Sequence, residues 1–229
     1  MAALACATAG WTHFTWISAS GEFQSGKTVK IMVSHGDRFP QSEEAINASQ
    51  VQLFVLAPSG ARSDLKPSST PTGITASFPV KETGAHRIAF VQDRGAMSRT
   101  PTGIRPGDKR KNPGALEAFT MLRTGVWHSG KGHAPVGLAA ELTAEREGST
   151  WHVQLLRKGK PLAGQLVQVV LNGQKDAVDL GKTGPDGKVD FKSTTPAGPA
   201  MFLAEFKEKG PIGGGVDSHR FSTTLYVNW

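Results

Sequence analysis

The stretch SHGDRFPQSEEA, residues 34 to 45, follows GKTVKIMV, a run that reads as a β-strand. A plain turn there needs the Gly and tolerates the Asp. It has no need of His35. Imidazole is the commonest metal-binding side chain, and its ordinary pKa lies near neutrality. Asp37, two residues on, can orient an imidazole N–H or ligate a metal directly. A second histidine, His13, opens another strand-like run, HFTWIS. Consecutive strands often pair, so His13 and His35 are expected to meet at one end of a sheet. Two imidazoles and a carboxylate suit divalent nickel, cobalt, copper or zinc, and residue types alone do not choose among them. Glu43 and Glu44 read as caps or solvated loop residues, and Gly36 and Pro40 as the turn.

Five more histidines are present: His86, His128, His133, His152 and His219. His128 and His133 flank SGKG in a glycine-rich loop. His219 lies two residues after Asp217, ahead of the last strand. His128 and His219 therefore join His13, His35 and Asp37 as candidate metal ligands. His86 and His152 read as ordinary strand positions. A lone histidine at a strand end is more often a surface or capping group, so the His13/His35 pair carries the expectation. No His-x-His or HExxH spacing reinforces it.

Enzymatic constellations are missing from the sequence. There is no Gly-x-Ser-x-Gly elbow and no dinucleotide fingerprint. GEFQSGKT does fit the bare phosphate-loop pattern, with Gly21, Gly26, Lys27 and Thr28. It runs into VKIMV, a β-branched strand, where a phosphate loop needs a helix N-terminus. GPIGGGVD reads as a flexible loop. No catalytic residue is assigned, and the expectation is a binding protein rather than an enzyme.

The 229 residues carry a formal charge of +7, concentrated in RTPTGIRPGDKRKNPG from Arg99 to Gly114. That run has no aromatic residues on which bases could stack, so it argues against nucleic acid as a partner. It reads as an exposed loop. The single cysteine, Cys6, excludes a disulfide framework. MAALACATAG at the N-terminus is small and apolar, and Ala7-Thr8-Ala9 matches a signal-peptide cleavage pattern, although no basic segment precedes it. The expected location is therefore periplasmic or extracellular.

From residue 13 onward the hydrophobic period is mostly two, broken by turn clusters at short intervals. This is the pattern of an all-β chain of sandwich type. The expected organisation is a signal remnant at 1–10, an N-terminal β-sandwich at 11–100, a basic loop region at 101–135 and an Ig-like β-sandwich at 136–229. Residues 92–114 read as irregular. ALEAFTMLRTG, 115–125, is the one good helical stretch, with an irregular strand as the alternative. Pro185-Asp186-Gly187 reads as a tight hairpin turn, followed by a strand carrying Val189 and Phe191. Val167, Val169 and Leu171 should share one strand face. Phe202 should face the core and Glu205 the solvent.

The segments THFTWI, SHGDRFPQSEEAI, LFVLAPSG, VGLAAEL, GKPLAGQLVQVVLNG, KTGPDGKVDF and RFSTTLYV, in that order, resemble the DUF4198 family of secreted proteins. The resemblance spans nearly the whole chain, and the order of the motifs is more specific than any one of them. The family pattern of His-x-Phe-Trp, then Gly-His at the end of the next strand, is met by His13-Phe14-Thr15-Trp16 and Ser34-His35-Gly36. Ser34 replaces the Gly and leaves the His intact. The resemblance implies a periplasmic accessory of nickel or cobalt uptake, with a membrane transporter or outer-membrane receptor as partner. GKPLAGQLVQV followed by TGPDGKVDF is also similar to transthyretin-like and carboxypeptidase-regulatory-like modules, which are usually structural. The competing expectation is a structural or adhesive surface protein that self-associates through its strand edges.

Overall fold

The computed structural model describes residues 13–130, 134–174, 176–192 and 198–228. The proposed signal remnant, Cys6 and His133 lie outside them. The described chain is all-β, with one 3-10 turn at Ala48–Gln50 and no α-helix.

Seventeen strands form three sheets. The first six strands alternate in pairs between two of them. β1 (Phe14–Ser20), β2 (Thr28–Gly36), β5 (Ser68–Thr70) and β6 (Gly73–Pro79) make a small sheet in the order β1-β2-β6-β5. β3 (Val51–Leu56), β4 (Arg62–Leu65), β7 (Arg87–Thr100), β8 (Gly103–Pro106) and β9 (Glu117–His128) belong to a nine-stranded central sheet. Its other members are β13 (Leu166–Leu171), β14 (Val178–Lys182), β16 (Pro199–Lys209) and β17 (Ser218–Asn228). A third sheet holds β10 (Ala140–Glu147), β11 (Thr150–Arg157), β12 (Lys160–Pro161) and β15 (Lys188–Lys192).

The central sheet runs β14-β13-β16-β17-β9-β7-β3-β4, with β8 beside β7. β9 and β17 pair in parallel, Phe119 opposite Ser218 and Trp127 opposite Tyr226. That pair joins strands from both halves of the chain, so the 11–100 and 136–229 units share one sheet. The 101–135 segment is not a loop region between them, since it supplies β8 and the central strand β9. Residues 92–114 are likewise not irregular throughout. β7 continues to Thr100 past a register shift between Asp93 and Ala96, and then turns back as β8.

β9 also overturns the helical reading of 115–125 and keeps the strand alternative. Ala118, Phe119, Met121, Arg123 and every residue from Thr124 to His128 are buried. A strand covered on both faces loses its alternation and reads as a continuous apolar run. Leu116, expected on the helix's apolar face, is 65% exposed.

The small sheet packs on one face of the central sheet. Ile17, Val29, Ile31, Val33, Ile74 and Phe78 meet Leu53, Val55, Ile88, Phe90 and Trp127 there. The third sheet covers the other face, where Leu142, Trp151, Val153 and Leu155 meet Val167, Val169, Phe202 and Leu225. Val167, Val169 and Leu171 do share a face, and Val189 and Phe191 lie on β15 and pack against the same core. The Pro185-Asp186-Gly187 turn is tight, with Gly187 N–H donating to Gly184 at 2.9 Å. It is not a hairpin: β14 pairs with β13, and β15 with β11, so the turn carries the chain from one sheet to another. Phe202 is in the core as expected, but its neighbours do not face solvent. Leu203 packs with Trp16, Phe39 and Met201 on the opposite face. Glu205 is only half-exposed and pairs in register with Ser222.

Candidate metal-binding site

β1 and β2 pair antiparallel with Phe14 opposite Gly36 and Thr15 opposite His35. This register brings His13, just before β1, beside His35 at the end of β2. Their rings lie 5.6 Å apart, centroid to centroid. The chain leaving β2 then folds back over them. Glu43 and Glu44 donate their backbone N–H groups to the His35 carbonyl at 2.9 and 3.1 Å. The Asp37 N–H donates to Glu43 Oε2 at 2.7 Å. Gly36 has φ of +156°, and a Cβ there would meet Glu43 Oε2 at 2.7 Å. The glycine is thus needed for this closure.

Phe39, at the loop tip, is buried between Trp16 and Tyr226, with centroids 5.5 and 5.4 Å away in edge-on geometry. The Phe39–Pro40 peptide bond is cis. Phe39 fastens the loop to the central sheet, and Thr224 Oγ1 of β17 fastens β1 by donating to the Thr15 carbonyl at 2.8 Å.

The loop places carboxylates against both imidazoles. His13 Nδ1 is 3.1 Å from Asp37 Oδ1 and 3.2 Å from Glu44 Oε1. His35 Nε2 is 3.5 Å from Glu44 Oε2. One ligand atom each from His13, His35 and Glu44 lies within 4.8 Å of the others. Ligand atoms held at ~2.1 Å from a tetrahedral ion are about 3.4 Å apart, so these spacings suit a bound divalent metal. The Asp37 approach to His13 lacks hydrogen-bond alignment. Asp37 Oδ1 is buried and has no hydrogen-bond partner among the described residues, which leaves a lone-pair oxygen aimed at the cluster.

His35 is 9% exposed. Its Nδ1 lies 2.8 Å from the Phe14 carbonyl oxygen and 2.8 Å from Thr15 Oγ1. A carbonyl only accepts, so Nδ1 carries the proton and donates to it. Nε2 is left with its lone pair facing Glu44. Burial, with the Arg123 guanidinium adding to it, lowers the His35 pKa to about 4. Near neutral pH the ring is therefore uncharged and in the tautomer a metal requires, with its second nitrogen oriented by a backbone carbonyl.

His13, His35 and Asp37 are thus brought together. Glu44, read from sequence as a loop cap, joins them. The signal for it was the Glu43-Glu44 pair itself, but the sequence did not show that the loop closes back on His35. His128 and His219 are elsewhere. His128 ends β9, in register with Arg87. His219 opens β17, where its Nδ1 is 2.8 Å from Thr120 Oγ1. Thr120 and His128 are eight residues apart on β9, about 27 Å along an extended strand, so His128 and His219 cannot share an ion. His152 is a strand residue of β11 as expected, with Nδ1 2.7 Å from Asp190 Oδ1, whereas His86 is not: it lies just before β7, buried, with Nδ1 3.0 Å from the Gly84 carbonyl.

Comparison with characterised proteins by sequence gave no match. The solved structures that match share little sequence with this chain. A DUF4785 family protein from Legionella pneumophila is 10% identical, with a TM-score of 0.33, over 94% of this chain and 56% of its own. The chain thus spans little more than half of that protein. Native alpha-2-macroglobulin from Escherichia coli, domains NIE-MG1, is 11% identical with a TM-score of 0.27, over 95% of this chain and 97% of its own. A two-domain fibronectin type-III segment of chicken tenascin is 11% identical with a TM-score of 0.23, over 92% and 97%. The family model for a domain of unknown function, DUF4198, matches residues 11–208, from before His13 to within one residue of the end of β16, and the chain belongs to that family.

Proposed function

We propose that this protein is a non-catalytic binding protein for a divalent transition metal, held by His13, His35 and Glu44 with an Asp37 oxygen as the fourth donor. The observation that carries this reading is the neutral His35 ring, whose free Nε2 faces Glu44 and His13. Two nitrogen and two oxygen donors favour nickel, cobalt, copper or zinc over magnesium or calcium, which take oxygen sets. His13 and Glu44 are exposed enough for an ion to enter or leave, which suits capture and hand-on. The Ala7-Thr8-Ala9 pattern supports export to the periplasm or outside the cell. A membrane transporter or outer-membrane receptor is the class of partner such a carrier would serve.

Calorimetric titration of the purified protein with Ni(II), Co(II), Cu(II) and Zn(II) tests the reading. One ion per chain should bind, and Glu44→Gln and His13→Ala should each weaken it at least tenfold while leaving the fold intact. Binding no tighter than high micromolar for all four ions would end the proposal.

A further inference from the structure

A second polar cluster lies on the same face of the central sheet, beyond the cover of the small sheet. A pocket of about 160 Å³ is lined by Arg94, Arg99 and Arg220 together with Met97, Ile104 and Phe119. Arg123 is buried beside it, and its guanidinium feels Arg94 as a like charge. The carboxylates here are fewer than the guanidinium groups. Glu117 is shared, at 3.2 Å from Arg99 and 2.6 Å from Arg220. Glu205 faces Arg123 and Arg220, and burial raises its pKa, so it is a reluctant anion. Arg94 is half-buried and has no carboxylate within ion-pair distance among the described residues. Arg123 has Gln92 Oε1 at 3.5 Å, a long and neutral contact.

Four guanidinium groups thus face three carboxylates in a partly desolvated recess, Glu117, Glu205 and, acting on Arg123 from the metal-binding cluster, Glu44. Such an excess is costly unless an anion compensates it. The floor is as informative as the charge. Arg220 stacks on the Phe119 ring at 3.8 Å, Met97 lies alongside, and Ile104 is 50% exposed at the mouth. A bare inorganic anion would use the arginines and leave this apolar surface wet. We propose that the pocket binds a small amphiphilic organic anion, its carboxylate or phosphate head against Arg94 and its apolar body over Phe119, Met97 and Ile104. Arg94 offers a planar, two-pronged donor that matches either head group. The site uses none of the four residues of the metal reading, and Arg123 is the one group whose charge acts on both clusters.

Titration with octanoate, octyl phosphate and inorganic phosphate, followed by amide NMR shifts of Met97, Ile104 and Phe119, separates the possibilities. Tail-bearing anions should bind in the micromolar to low-millimolar range, and the head group preferred identifies the source. Arg94→Gln should weaken that binding at least tenfold. Ile104→Glu, at an exposed position, should do the same by placing a negative charge at the mouth. Both variants should titrate with metal as the wild type does. No binding of either tail-bearing anion at millimolar concentration would overturn the proposal. So would unchanged affinity in both variants, or inorganic phosphate binding as tightly as octyl phosphate.

Discussion

His35 is the residue on which the site turns, because its burial and its bond to the Phe14 carbonyl decide which nitrogen is free. The same burial makes stability depend on pH. An unfolded histidine titrates near 6.5, whereas folded His35 does so near 4. As pH falls through that interval, the unfolded chain takes up a proton that the folded chain refuses. Stability contributed by neutral His35 is therefore present above about 6.5 and is lost on the way down to about 4. The loss is on the order of 3 kcal/mol. Urea unfolding at pH 7 and pH 4.5 should show it in the wild type and show a smaller drop in His35→Gln. Equal drops in both would place the acid sensitivity elsewhere. That His35 and Asp37 belong to one polar cluster was legible from their types and spacing, and that His13 joins them from the expectation that consecutive strands pair. Glu44 was not, because its position depends on Phe39 pinning the loop between Trp16 and Tyr226.

At the scale of the strand, β9 is the element that sequence patterning misses. Its residues are buried on both faces, so no period of two survives to mark it. The chain leaves another trace there. Gly125 sits opposite Phe90 and Thr224, and a Cβ on it would collide with Phe90 Cε1 and lie 2.7 Å from Thr224 Oγ1. Gly125→Ala should then destabilise by about 1–3 kcal/mol, the usual cost of overpacking. Denaturant midpoints would show it, and an unchanged midpoint would mean that the Phe90 ring yields freely. β16 shows the converse. Phe202 was legible as core from the strand period that sets Phe202 and Ala204 against Leu203 and Glu205, and Phe202→Ala should cost roughly 3–5 kcal/mol. Glu205 was misplaced for the reason that hid β9: the second face of the central sheet is also covered.

Glu141 is another element-scale device. It is buried, and its carboxylate accepts the N–H groups of Val136, Gly137 and Leu138 at 2.5, 3.0 and 3.0 Å. It orders the approach to β10 and hence the seating of Leu138 in the core. Glu141→Ala would leave three backbone donors short of partners. A loss of roughly 2–4 kcal/mol is expected, measurable by chemical unfolding, with a change under 1 kcal/mol as the contrary outcome.

The whole molecule is organised by the parallel β9–β17 pair. The all-β class was legible from the turn spacing, and so were most outer strands. The joining of both halves in one sheet was not, because strand order depends on contacts nearly a hundred residues apart in sequence. The shared sheet predicts that the two halves unfold together. Calorimetry should show a single transition whose calorimetric and van't Hoff enthalpies agree. Two resolved transitions would mean that each half stands alone.

The central claim is that His35 binds a metal through Nε2 while Nδ1 keeps its proton for Phe14. Histidine-labelled protein, observed by ¹⁵N NMR near pH 7, reads both nitrogens at once. One equivalent of Zn(II) should move the Nε2 resonances of His35 and the Nδ1 resonance of His13. His35 Nδ1 should stay protonated, and His86, His128, His152 and His219 should be undisturbed. Binding that leaves His35 unchanged, or that strips the proton from its Nδ1, would contradict the account.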